Sequence, residues 1–320
     1  MTRKEITRKV VDDFNSRRVA DEQAYDLRIA ELSDEIDGFA DVMRELSTVG
    51  LKLFGASVKG GDTDSAVAQI RRDTEALRAK KEALLIGAGY PADYASRKYR
   101  CEKCSDSGFV GLDMCSCLRS EIIEAEIENC GIGKLIRTQS FDNFRLDYYD
   151  EQDRAIIKKN AVALYNFANG FGADTSDSFL MLGATGLGKT HLSSAVAKKV
   201  IERGYDVVYR TAQSAMMIFE RQRFGDGFRG DGTERELFDA DLLIIDDLGT
   251  EVTTQYTIAC LYELINSRLN DDRPTIISTN LTKDELRERY ADRIMSRLFG
   301  EYRPLLFRGG DIRQKKLSEK

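Results

Sequence analysis

A chain of 320 residues with 42% hydrophobic and 32% charged residues, 3 Pro and no Trp has the composition of a helix-rich globular protein. At roughly 150 residues per domain it makes about two units. Its 48 Lys and Arg against 54 Asp and Glu, net −6, exclude a cationic footprint for nucleic acid over the whole surface, so any such contact is local. The single histidine, His191, excludes two-His metallopeptidases and the Ser or Cys hydrolases that need a histidine base.

The opening MTRKEITRKV is charged and lacks the apolar run of a signal peptide, and the longest aliphatic cluster, residues 242–245, is far too short to span a bilayer. A cytosolic protein is expected, with no membrane contact. In that compartment the six cysteines read as metal ligands or core residues rather than disulfides.

From Tyr25 the apolar positions fall at Tyr25, Ile29, Leu32, Ile36, Phe39, Met43 and Leu46, alternating steps of four and three that predict one helix with a heptad seam. A second series, Val67, Ile70, Thr74, Leu77, Lys81 and Leu84, predicts another helix, with Gly50, Gly55, Gly60 and Gly61 between the two. A helical hairpin over residues 1–98 follows. Its seam either packs on the rest of the chain or binds a partner; periodicity does not separate the two.

Residues 99–140 form a cysteine-rich module and a linker helix from 118 to about 129. Cys101-x2-Cys104 and Cys115-x-Cys117 flank a loop containing Gly108 and Gly111, and four thiolates so spaced can converge on a zinc ion. With no histidine nearby the site would be closed and structural. The single residue inside the second pair leaves free buried thiols as the alternative. Cys130 and Cys260 read as core.

Past Phe141 short aliphatic runs at 179–182, 207–209, 242–245, 275–278 and 305–307 alternate with helical patterns, which predicts an α/β fold with a parallel sheet over residues 141–320. Directly after the first run stands Gly183-Ala184-Thr185-Gly186-Leu187-Gly188-Lys189-Thr190, a G-x-x-x-x-G-K-T loop between a predicted strand and a predicted helix. Its backbone N–H groups can wrap phosphate oxygens, Lys189 is expected to reach the β- and γ-phosphates of ATP, and Thr190 to ligate Mg2+. His191 belongs with the loop as a helix residue packed beside it. Leu242-Leu243-Ile244-Ile245-Asp246-Asp247 reads as a strand buried on both faces and ending in two acids: Asp246 to hold the magnesium, Asp247 to polarise water. Asn280, after the run 275–279, is a candidate sensor of the γ-phosphate, although an Asn after a strand is also an ordinary turn former. Arg293 and Arg297, four apart on one helical face, are candidates for stabilising transition-state charge in a neighbouring subunit.

Together these elements resemble the AAA+ ATPases, in particular the bacterial helicase loaders of the DnaC/DnaI type, within the IstB-like ATP-binding superfamily. The residues that carry the resemblance are GATGLGKTH (183–191), LLIIDDLGTE (242–251), the STN ending at Asn280, RIMSRL (293–298) and Gly310-Asp311-Ile312-Arg313. It implies that Arg297 is a finger acting in trans and Arg313 a second phosphate sensor. The cysteine segment is similar to the module found ahead of the ATPase in many loaders. Phe141-Asp142-Asn143-Phe144 resembles the segment that lies near the nucleotide base. Many family members carry Glu at the position of Asp247, and the shorter side chain bears on hydrolysis rate rather than on binding. The short stretch after the last strand leaves no room for a helical lid, which fits the compact loader branch.

The resemblance implies an ATPase that loads a hexameric replicative helicase of the DnaB type, self-associates on its partner or on DNA, and contacts single-stranded DNA. Residues 283–316 hold ten Lys or Arg against six Asp or Glu, with Tyr290, Phe299, Tyr302 and Phe307 interspersed. That is either a strand-tracking surface or a solvated face over core aromatics. An IstB-like transposition helper and a nucleotide-gated adaptor with little turnover are the rival readings.

Overall fold

Leu32, Ile36, Phe39, Leu85 and Ala95, from three helices, the turn between the first two and a loop, bury one another in a small cluster that organises the first part of the chain. The structure, a computed structural model, describes residues 1–58, 63–224 and 233–312. It divides into two units, Val11–Leu118, and Met1–Val10 together with Arg119–Lys320.

In the smaller unit α1 (Arg3–Glu35), α2 (Phe39–Val58) and α3 (Thr63–Gly87) precede a hairpin of β1 (Phe109–Val110) and β2 (Asp113–Met114), after which α4 (Ser116–Asn129) begins. The heptad seam does not run through one helix. It breaks at residues 36–38, where Gly38 adopts φ +79° and the Phe39 N–H bonds the Ile36 carbonyl. The apolar period survives the break because the turn carries Ile36 and Phe39 into the same cluster as Leu32. Gly50 and Gly55 lie inside α2 rather than between helices. Gly60 and Gly61 fall outside the described residues. The antiparallel pairing Phe109↔Met114 and Val110↔Asp113 is too short to make a core of its own.

The larger unit continues with α5 (Gly133–Thr138), α6 (Glu151–Gly170), β3 (Phe179–Leu182), α7 (Lys189–Arg203), β4 (Val207–Thr211), α8 (Ala212–Phe224), α9 (Thr233–Asp239), β5 (Leu242–Leu248), α10 (Gln255–Asn270), β6 (Thr275–Thr279), α11 (Lys283–Arg289), α12 (Asp292–Gly300) and β7 (Arg303–Leu306). Five strands pair in parallel in the order β4-β5-β6-β3-β7. Alternate residues go to opposite faces. Phe179, Met181, Leu242, Ile244 and Ile276 join α6 and α7 in one core, while Leu180, Leu243, Ile245 and Ile277 join α8, α10 and α12 in the other. Both faces are therefore dry over β3, β5 and β6, as parallel strands require, whereas the edge strand β7 is mostly exposed. Strand β3, which leads into the glycine-rich loop 183–190, sits between β6 and β7, and this brings the ends of β3, β5 and β6 to one edge of the sheet.

Local signals set the helix ends. α7 starts after Gly188 at φ +86° and stops at Gly204 at φ +99°, whose N–H bonds the Ile201 carbonyl. α10 and α11 open with capping boxes at Thr254 and Thr282. At the opposite edge of the sheet the fully buried Arg268 donates to Thr275 Oγ1 and to the carbonyls of Leu237, Phe238, Ala240 and Pro274. Burial pushes it down to about 10, still a cation at neutral pH. On α4 the Glu126 carboxylate lies 3.0 Å from Arg3 Nε, and burial, outweighing that attraction, pushes it up to about 7. No helix among the described residues is long and apolar enough to cross a membrane.

Candidate functional site

The loop 183–190 crosses the edge of the sheet between β3 and α7 and forms one wall of a cavity of about 440 Å³. Its glycines are required by geometry. Gly186 and Gly188 have φ of +78° and +86°, and a Cβ there would meet Asp311 Oδ1 at 2.0 Å and the Tyr149 hydroxyl at 2.8 Å. Tyr149 also donates to the Leu187 carbonyl at 2.9 Å, clamping the loop from the N-terminal side. Thr185 to His191 line the cavity with Asp247 and Asn280; the opposite wall includes Asn143, Phe144, Arg145 and Tyr148. Of the 141–144 segment, Asn143 and Phe144 line this cavity.

Lys189 is nearly buried, and its ammonium donates to the carbonyls of Gly183 (2.6 Å) and Ala184 (2.8 Å) and to Asn280 Oδ1 (2.7 Å). Lys189 and Asn280, 91 residues apart, therefore meet as the strand order demands. His191 Nε2 contacts the Ser140 carbonyl at 2.9 Å and its ring meets Phe144 edge-on at 5.2 Å, so it packs beside the loop.

The two acids at the end of β5 have different surroundings. Asp246 is 5% exposed and accepts from three hydroxyls: Thr190 Oγ1 at 3.0 Å and Tyr209 OH at 2.8 Å on Oδ2, and Ser278 Oγ on Oδ1. These bonds offset the cost of burying the carboxylate. Asp247 lines the cavity. It has φ +57°, a left-handed conformation that Asp tolerates, and its Oδ1 accepts from Asn280 Nδ2 at 3.1 Å while its N–H donates to Ser278 Oγ at 2.9 Å. Ser278 thereby ties both acids together. Burial, and then the Asp246 charge, push the Tyr209 phenol well above its ordinary value, so it remains a donor.

Tyr209, Ser278 and Tyr149 are the site residues that motif reading does not single out. Ser278 had a signal, a polar residue inside an aliphatic run two places before Asn280. Tyr209 had none, because a tyrosine ending an apolar strand reads as core.

In the smaller unit the four sulfurs of Cys101, Cys104, Cys115 and Cys117 lie within 4.8 Å of one another. Cys101 and Cys115 are 3.8 Å apart, Cys104 and Cys117 3.5 Å. A tetrahedron of thiolates at ~2.3 Å from zinc has edges of about 3.8 Å, so the donor set fits that ion. The Asp106 carboxylate receives the N–H groups of Arg100 and Cys101, each at 2.8 Å, and sets the first turn. The backbone N–H of Cys117 holds the Cys115 thiol down to about 7, whereas burial pushes Cys117 up. Cys130 is buried and Cys260 partly buried in the apolar cores of the larger unit, as the sequence predicts.

The remaining candidate residues lie away from the cavity or outside the described residues. Arg293 and Arg297 lie on α12 and are not among the cavity residues; Arg297, 37% exposed, pairs with Glu301 at 3.9 Å. Arg313 falls outside the described residues. The aromatic residues of 283–316 do not form a stacking surface: Tyr290, Tyr302 and Phe307 are buried and Phe299 is half-buried against the core, because each fills a gap under α11, α12 or β7.

The family model described as IstB-like ATP binding protein matches residues 129–300. The replicative helicase loader DnaC of Escherichia coli (strain K12) is 27% identical over 185 residues, 56% of this chain and 71% of that protein. DnaC of Buchnera aphidicola subsp. Baizongia pistaciae is 26% identical over 172 residues, 52% of this chain and 66% of that one. Among solved structures, the DnaC helicase loader aligns with 55% of this chain and 99% of its own, at 19% identity and TM-score 0.47. AMPPCP-bound DnaA from Aquifex aeolicus aligns with 57% of this chain and 55% of its own, at 22% identity and TM-score 0.44.

Proposed function

The chain belongs to the IstB-like ATP binding protein family, and from that premise we propose that it is an ATP-dependent loader of a hexameric, DnaB-type replicative helicase. The observation that carries the reading is the meeting, at one cavity, of the loop lysine with Asn280 and Asp247 from two other strands, with Asp246 directly behind Thr190. Relatives named as helicase loaders supply the biological direction.

In this reading Gly183 to Thr190 hold the phosphates of ATP, and Thr190 and Asp246 hold its Mg2+, which supplies charge neutralisation at the transferred phosphoryl group. Lys189 gives up its loop carbonyls for phosphate oxygens. Asp247, held by Asn280, orients and polarises the attacking water. Arg297 of a neighbouring subunit adds positive charge at the transition state, so turnover rises with assembly. The four cysteines bind Zn2+ as a closed structural site, and residues 1–98 with the module 99–140 dock the helicase while 141–320 act as the ATPase in the cytoplasm. Contact with single-stranded DNA runs through cations on the phosphate backbone, since the aromatic residues of 283–316 are packed inside.

The test pairs two measurements. Co-purification with a DnaB-type helicase, against a transposase bait as control, is expected to capture the helicase and to strengthen with an ATP analogue. Phosphate release is expected to rise with protein concentration and with helicase and DNA present. Capture of the transposase alone would assign the chain to transposition, and binding without phosphate release to a gated adaptor.

A further inference from the structure

Glu251 follows the acid pair by four residues and has no place in the cavity, yet its carboxylate is 2% exposed. A buried carboxylate is costly unless paired, and an apolar side chain of similar size would fill the space at no such cost. Among the described residues its partners come from two places. On one side Oε2 accepts the N–H of Gly249, at 2.9 Å, in the turn that follows Asp247. That turn is built on Asp247 itself: Thr250 returns both its N–H (3.2 Å) and its hydroxyl (2.8 Å) to the Asp247 carbonyl. On the other side Oε1 accepts from the Tyr290 hydroxyl and lies 3.9 Å from Arg289 Nε, while Arg289 Nη2 donates to the Glu251 carbonyl.

Arg289 and Tyr290 end α11, and Ala291 is already the N-cap of α12, the helix of Arg293 and Arg297. Among the described residues, every hydrogen bond and ion pair from the turn 247–252 to α11 and α12 ends on Glu251. The turn also packs closely on Leu281: Gly249 has φ +104°, and a Cβ there would meet Leu281 Cδ1 at 2.4 Å. Burial, and then the bond to Glu251, push the Tyr290 phenol above its ordinary value, which keeps it a donor to this carboxylate.

We propose that Glu251 is a positioning residue that ties the Asp247 turn to the α11–α12 junction, so that the nucleotide at the cavity sets the placement of the helix bearing Arg293 and Arg297. The proposal rests on reading the cavity as a nucleotide site. A rigid polar contact made by one buried side chain to both elements is the physical link; apolar packing alone would allow them to slide.

Amide hydrogen exchange on the full chain, with and without ATPγS and Mg2+, tests it in the parent, Y290F and E251Q. Y290F keeps the ring and removes only the hydroxyl; the amide of E251Q can accept on one side only. In the parent, exchange is expected to slow about fivefold or more both at 183–191 and at 289–297 when nucleotide is added. In both variants the slowing at 183–191 is retained and that at 289–297 falls to less than about twofold. Slowing at 289–297 that persists in both variants, or that is absent in the parent while 183–191 responds, overturns the proposal. Altered melting temperature with unchanged exchange coupling assigns Glu251 to stability alone and overturns it equally. A parent that shows no response at 183–191 removes the nucleotide reading itself, and this proposal with it.

Discussion

The acid pair at the end of β5 and the four thiols of the smaller unit are both polar clusters held in place, but by opposite means. Around Asp246 and Asp247 the positions come from a five-stranded parallel sheet with two apolar faces, and the polar atoms are hung on a scaffold that exists without them. Around Cys101 to Cys117 two strands of two residues each offer almost no scaffold, and in the proposed zinc site the bound ion would supply the cross-link. A site on a rigid sheet can lose a ligand and keep its shape. A knuckle made of its ligands cannot.

The largest expected effect is the one that would break this contrast outright. Chelation of zinc, or Cys104→Ser, should abolish exchange protection over 99–118 while the sheet unit remains protected, since structural zinc contributes about 10–16 kcal/mol of apparent binding free energy in small modules. Equal loss in both units would mean that the two clusters share one scaffold. Next in size, Asp247→Asn should cut phosphate release about 10²–10⁴-fold while binding of a fluorescent ATP analogue and the melting temperature stay close to the parent values. A collapse of binding instead would show that Asp247 holds the loop rather than the water.

Tyr209→Phe removes one of the three hydroxyl donors to Asp246 and should cost about 1–3 kcal/mol in urea unfolding, with an unchanged m-value. At Glu126, burial raises the folded carboxyl from 4.5 to about 7. The folded state therefore binds the extra proton across that interval, and stability falls as pH rises from about 4.5 through about 7. Glu126→Gln should flatten that slope and gain about 1–2 kcal/mol at pH 8, a direct measure of what burial costs in the sheet unit. Smallest of all, Glu301→Ala removes a pair whose partners are 37% and 55% exposed and should change stability by less than about 1 kcal/mol.

The sequence by itself determined what depends on short-range pattern. G-x-x-x-x-G-K-T specifies left-handed backbone at its glycines, aliphatic runs specify buried parallel strands, and paired cysteines specify convergent thiols, since each signal acts within one short segment of chain, the longest of them residues 101–117. It also carried a false continuity: the seam from Tyr25 to Leu46 keeps its period across Gly38 because buried positions recur there whether or not the helix does. Only the tertiary structure decided which aspartate is enclosed by hydroxyls and which faces the cavity, that Tyr290 and Tyr302 lie inside, and that Glu251 joins the acid turn to α11. Those outcomes depend on partners 30 to 60 residues away, such as Tyr209 and Ser278 for Asp246, and burial at such separations is set by how the strands order in the sheet, which no local period encodes.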